Sequence, residues 1–147
     1  NNVDYPQYSA LLFSPTNDSG PFYHAHEMFN LELNTDLVVL SACETSEKHL
    51  SGFQGLRGMT AAFRHAGTNA MMVSMWPVDE HSWQLTPLFY FQYHKLINQK
   101  PHDRIAPALR SAKLQMMKKK ARISDTIDIS FSHPFLWANY IVYHFAY

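Results

Sequence analysis

The stretch Leu37-Val38-Val39-Leu40-Ser41-Ala42-Cys43-Glu44-Thr45 carries an unbroken apolar run into the one cysteine of the chain. A continuous, β-branched run with no polar alternation predicts a strand covered on both faces, as in a parallel sheet packed between helices. Beyond a polar loop, Leu56, Met59, Ala62 and Phe63 recur at helical spacing, and Gly67 supplies a stop signal. Asn69 to Trp76 is a second apolar strand, closed by Pro77. Strand, helix and strand make one βαβ unit. A cysteine just past its first strand then stands at the carboxyl end of the sheet, where open α/β folds bind their ligands.

Working outward, Ser9 to Ser14 reads as a short buried strand, and the turn-forming residues 15–20 end it. Glu27 to Asn30 suggests a short helix leading to Leu31-Glu32-Leu33. On the other side, Ser82 to Ile97 predicts a helix. Its Trp83, Leu85, Leu88, Phe89, Phe91 and Tyr93 cover an arc too broad for a free-standing amphipathic helix, and Pro87 belongs in its first turn or at a kink. Arg104 to Ala121 predicts a second helix with Ile105, Ala108, Leu109, Ala112 and Met116 on one side. Lys118-Lys119-Lys120 would close it at the negative end of its dipole. Ile123 to Ser132 reads as a loop, and Phe135 to Phe145 as a last helix-to-strand element. The fold class is α/β.

Composition narrows the function classes. Hydrophobic residues make up 46% of the 147 positions, enough to fill a core, so disorder is a poor reading. Twelve basic residues balance 12 acidic ones, which gives no general attraction to nucleic acid or to an anionic membrane. Lys113, Lys118, Lys119, Lys120 and Arg122 read as a solvated helix end rather than an RNA contact. No stretch approaches the roughly 18 apolar residues of a membrane span. A single cysteine forms no internal disulfide, so a reducing cytoplasm is the expected location. A start at Asn1-Asn2-Val3, without an initiator methionine, suggests a chain cut from something longer.

Cys43 is either a small buried hydrophobe or a nucleophile. Ser41 and Ala42 would let a substrate backbone come close, and the loop beginning Glu44-Thr45-Ser46 would offer N–H groups to an oxyanion. His24 and His26 share one face of an extended segment, but no third ligand stands at useful spacing. They read as surface histidines, and neither metal nor cofactor is expected. His65 would pack or meet solvent, and His133, before Pro134, suits a turn or cap.

The run from Leu37 to Thr45 resembles the nucleophile strand of CHAT-domain peptidases, relatives of caspases and separases. Gly55-Leu56-Arg57-Gly58-Met59-Thr60-Ala61-Ala62-Phe63 with Ala66-Gly67 resembles the helix that follows. Val73-Ser74-Met75-Trp76-Pro77-Val78-Asp79 resembles the next strand and its loop, and His133-Pro134-Phe135-Leu136-Trp137-Ala138 the closing motif. Ser9 to Leu12 and Glu27 to Leu33 resemble segments ahead of the nucleophile.

The resemblance implies a partial caspase-haemoglobinase fold, a mainly parallel sheet sandwiched by helices, with residues 1–147 forming the C-terminal portion of the domain. It implies a Cys–His dyad with Cys43 as nucleophile. The family's histidine lies in a His-Gly motif that nothing here matches, so it is expected before residue 1. Relatives that cut after basic residues use a carboxylate near the loop after the second strand, which points to Asp79 or Glu80. Asp79 equally suits a helix N-cap. Trp76 would wall the same pocket or belong to the core. Ser46 replaces a glycine, and Ser51-Gly52-Phe53-Gln54-Gly55 a loop usually richer in glycine and acid, which puts the oxyanion loop in doubt. Implied partners are a protein substrate, the rest of the domain, a tetratricopeptide-repeat region, and a regulatory protein or RNA-guided effector of bacterial defence or signalling. The rival reading is a catalytically silent docking scaffold.

Overall fold

A computed structural model of the chain describes residues 8–14, 20–41, 52–76, 78, 82–124 and 127–145. Strands β1 (Ala10–Leu12) and β2 (Phe22–His24) form an antiparallel hairpin in which Ala10 faces His24. Helix α1 (Ala25–Met28) follows directly, and the Glu27 carboxylate accepts from the His24 backbone N–H at 2.7 Å. Strand β3 (Val38–Leu40), helix α2 (Gly52–His65) and strand β4 (Ala70–Ser74) form the expected βαβ unit. A short 3-10 helix (Ser82–Gln84) runs into α3 (Leu85–Lys95), and α4 (Pro101–Met117) packs back against it. Strands β5 (Lys120–Ser124) and β6 (Ile127–Ser130), helix α5 (Pro134–Trp137) and strand β7 (Tyr140–His144) complete the described chain.

The central sheet has the order β3-β4-β7. Strands β3 and β4 are parallel, with Val38 opposite Met71 and Leu40 opposite Val73. Strand β7 joins β4 antiparallel, with Ser74 opposite Tyr140, so the described sheet is mixed. Alternation along β4 sorts its side chains between two cores. Ala70 and Met72 enter one cluster with Leu85, Phe89, Ile105, Ala112 and Met116 of α3 and α4. Met71 and Val73 enter the other with Met28 of α1 and Leu56, Met59 and Phe63 of α2. Both faces of β4 are therefore covered, and all five of its residues are buried. Each fully buried Met or Phe contributes about 1.5–3 kcal/mol of transfer free energy. The sheet is sandwiched by helices, as the apolar runs of the sequence indicate.

Strand β3 differs from the expectation of full burial. All three of its residues are half-buried, because among the described residues it pairs with β4 alone. Other differences are local. Ile123, Ser124 and residues 127–130, read as part of a loop, belong instead to the paired strands β5 and β6, and Ile127 and Ile129 at two-residue spacing are the overlooked strand signal. Helix α4 begins at Pro101, whose missing N–H costs nothing in a first turn, and ends at Met117. The lysine trio therefore leaves the helix: Lys118 is its C-cap and Lys120 opens β5. Phe22-Tyr23-His24, rich in strand formers, pairs in β2 where no strand was foreseen.

Helix α2 ends as its glycine indicates. Gly67 sits at φ +91°, its N–H bonding to the Arg64 carbonyl while Thr68 N–H reaches back to Phe63, both at 3.1 Å. This is a Schellman closure, and it turns the chain into β4. Gly67→Ala is expected to cost about 1–2 kcal/mol, since an L side chain is strained at that φ. Gly20→Ala, where an added Cβ meets nothing within 4 Å, serves as the control. Denaturant unfolding of the two variants checks this, and equal midpoints would contradict it.

Candidate active site

The carboxyl ends of β3 and β4 and the amino end of β7 lie at one edge of the sheet, because Leu40 pairs with Val73 and Ser74 with Tyr140. A cleft of about 410 Å3 opens there, lined by Ser41, Val78, Trp83, Thr86, Pro87, Tyr90 and Tyr140. Trp83, Thr86, Pro87 and Tyr90 recur at intervals of three and four, so they form one stripe along the 3-10 turn and the first half of α3. Pro87 belongs in that first turn, where a missing N–H is tolerated. The opposite stripe, Leu85, Phe89 and Gln92, is buried, which fixes the helix's rotation and turns the Trp83–Tyr90 stripe outward.

Tyr140 forms the buried floor of the cleft and is held at both ends. Its hydroxyl shares a hydrogen bond with Thr86 Oγ1 at 3.1 Å, and its carbonyl accepts from Lys113 Nζ at 2.8 Å. Partial burial pushes the Lys113 ammonium below the usual lysine range. Burial also raises the Tyr90 phenol, with smaller contributions from Tyr140 and Tyr93, so Tyr90 stays a neutral donor near neutral pH. Among the described residues the cleft lining carries no charge and no histidine.

The Lys113 geometry has a pH consequence. A lysine whose pKa is lower in the folded than in the unfolded state lets the unfolded chain bind more protons between the two values. Its unfavourable contribution is fully present below the folded pKa and fades as pH rises towards 10.5. The stability of the wild type relative to Lys113→Met is therefore expected to rise from neutral pH towards that value. Chemical denaturation of both proteins across the range checks it, and a constant difference would contradict it.

Trp76 sits beside this edge but does not line the cleft. Its ring stacks on Phe135 at 5.8 Å, and its Nε1 donates to the Phe135 carbonyl at 3.0 Å, tying the end of β4 to α5. His133 caps α5, its Nδ1 accepting from Phe135 N–H at 3.3 Å. Next to Tyr140, the Asn139 carbonyl accepts from Met75 N–H at 2.7 Å, while its fully buried side-chain amide has no hydrogen-bond partner among the described residues. Cys43, Glu44, Thr45, Asp79 and Glu80 lie outside the described residues. Ser41 precedes Cys43 by two positions, and Val78 directly precedes Asp79 and Glu80.

The remaining histidines lie elsewhere. The His24 and His26 rings stack at 5.4 Å, although one residue ends β2 and the other belongs to α1, and Tyr8 packs edge-on against both. His65 is exposed and lies against Phe29 at 5.2 Å. No group of three or more His, Cys, Asp or Glu suited to a metal occurs among the described residues. Of the basic residues at this helix end, Lys118 and Lys120 are exposed, whereas Lys113 donates to the Tyr140 carbonyl and Lys119 to Gln84 Oε1 at 2.9 Å. Sequence reasoning missed Thr86, Pro87, Tyr90, Trp83 and Tyr140 as cleft residues. The over-wide apolar arc of α3 was the signal available for the helical part.

No helix among the described residues is long and apolar enough to cross a membrane. No curated protein and no solved structure gives a significant match to this chain. A family model, the CHAT domain, matches residues 2–144. With nearly the whole length matched and a helix-sandwiched βαβ unit ending in a cleft, the chain belongs to the CHAT domain family, a group of caspase-like peptidases and related domains.

Proposed function

We propose that the chain is the nucleophile-bearing portion of a cysteine endopeptidase, with Cys43 as the attacking residue. The observation that carries this reading is Ser41, two residues ahead of Cys43, at the mouth of the cleft at the carboxyl end of β3. The thiolate attacks the scissile carbonyl carbon, forming a C–S bond and a tetrahedral oxyanion that N–H groups of the Glu44–Thr45 loop would stabilise. Collapse breaks the C–N bond, and an imidazolium donates its proton to the departing amine. Water activated by the same histidine then hydrolyses the thioester and regenerates the thiol.

That histidine is proposed to come from a segment of the same polypeptide preceding residue 1. Two observations support this. No histidine among the described residues lines the cleft, and β3 has one edge open to a further strand among those residues. Asp79 or Glu80, following Val78 of the cleft wall, would meet a basic side chain of the substrate. Trp76, held on Phe135, would wall the same pocket or position their loop. The single cysteine favours a reducing cytoplasm, and family resemblance suggests control by a tetratricopeptide-repeat region and by a regulatory protein or RNA-guided effector, in bacterial defence or signalling. The test exposes the full-length protein and its Cys43→Ala variant to candidate protein substrates. New amino termini produced by the wild type alone are expected, and equal cleavage by both would leave the docking-scaffold reading.

A further inference from the structure

We propose that the cleft between Ser41, Tyr140 and the outer stripe of α3 is a subsite for an uncharged aromatic or large aliphatic side chain of a bound peptide. This rests on the peptidase reading and adds to it the chemistry of the side chain held next to the nucleophile loop.

Size, lining and position point the same way. A volume near 410 Å3 lies within the range of sites that enclose small groups, and the walls are predominantly apolar. Trp83 and Tyr90 leave 55% and 48% of their surface exposed, so both rings are available to pack against a bound apolar group. Pro87 lies between them on the same stripe and keeps that wall rigid. The described polar groups of the lining are neutral, and the Thr86 and Tyr140 hydroxyls already bond each other. A charged side chain entering here would lose its hydration without gaining a counter-ion from the described lining, whereas an apolar one loses nothing. The occupant is a substrate side chain rather than a free small molecule because Ser41 places the cleft mouth within two residues of Cys43.

The test separates binding from cleavage. Full-length protein carrying Cys43→Ala is titrated by fluorescence polarisation with short labelled peptides identical except for one position occupied by Phe, Leu, Lys or Asp. Phe and Leu peptides are expected to bind about tenfold more tightly than Lys or Asp peptides. Adding Trp83→Ala and Tyr90→Ala should remove that preference, and Tyr90→Phe, which keeps the ring, should retain it. A preference unchanged by both alanines, a tighter Lys or Asp peptide, the absence of peptide binding, or loss of preference in Tyr90→Phe would each overturn the subsite. Cleavage by wild-type protein is scored separately. Selective binding without Cys43-dependent cleavage would remove the peptidase reading and leave the subsite standing, and the converse result would remove the subsite alone.

Discussion

Replacing Cys43 by alanine in the full-length protein is expected to lower kcat/KM for its substrate by at least about 10⁴-fold, with peptide affinity little changed. The size of the effect follows from the role. The thiol forms the covalent bond that divides amide hydrolysis into two easier steps, so its loss removes the route rather than slowing one part of it. Binding survives because Trp83, Thr86, Pro87, Tyr90 and Tyr140 supply the cleft walls without the thiol. Cys43→Ser is expected to be nearly as inactive, since a hydroxyl forms far less anion at neutral pH than a thiol. Single-turnover kinetics with unchanged thermal unfolding would attribute the loss to chemistry. A drop confined to KM would assign Cys43 to binding.

Phe89→Ala is expected to produce the largest loss of stability among single changes in α3, about 3–5 kcal/mol. Phe89 is fully buried in the cluster that joins β4 to α3 and α4, with its ring stacked on Tyr93 at 5.7 Å and edge-on to Tyr90 at 5.3 Å. Truncation removes the transfer free energy of the ring and leaves a cavity that α3 closes only in part. For a chain of this size the midpoint should fall by roughly 10 °C or more. Phe91, two residues on, is 56% exposed, with the Lys95 ammonium 4.3 Å from its ring centroid. Phe91→Ala should cost no more than about 1 kcal/mol. Thermal unfolding of the pair checks the assignment of α3's buried face, and comparable losses would contradict it. Because that face sets the outward direction of Tyr90, Phe89→Ala should also weaken peptide binding in the cleft.

The βαβ unit was legible because its two strands carry no polar alternation: Val38 to Leu40 and Ala70 to Ser74 contact helices on both sides, and the residues record it. Gly67 was legible for a similar reason, since a helix that must turn at once into a strand needs a left-handed residue. The cleft was not legible as a unit. Its floor, Tyr140, reaches the site through an antiparallel pairing with β4 from near the other end of the chain, and no local pattern encodes such a contact. Its wall depends on which arc of α3 is buried, and apolar residues all round the helix left that open. The lysine trio misled because charge favours a helix C-terminus generally, while the β-branched residues after it favoured a hairpin. Trp76 was ambiguous between wall and core, and its stacking on Phe135 turned on the position of α5, which the strand's own sequence does not specify.

Trapping the nucleophile tests the central claim most directly. Full-length protein is incubated with a peptidyl acyloxymethyl ketone, which forms a stable thioether with an activated thiolate, and the product is analysed by intact-mass and peptide mass spectrometry. The account predicts one adduct, located on Cys43 and lost when the upstream histidine is replaced by alanine. No adduct, an adduct on another residue, or labelling of Cys43 that is indifferent to that histidine would contradict it.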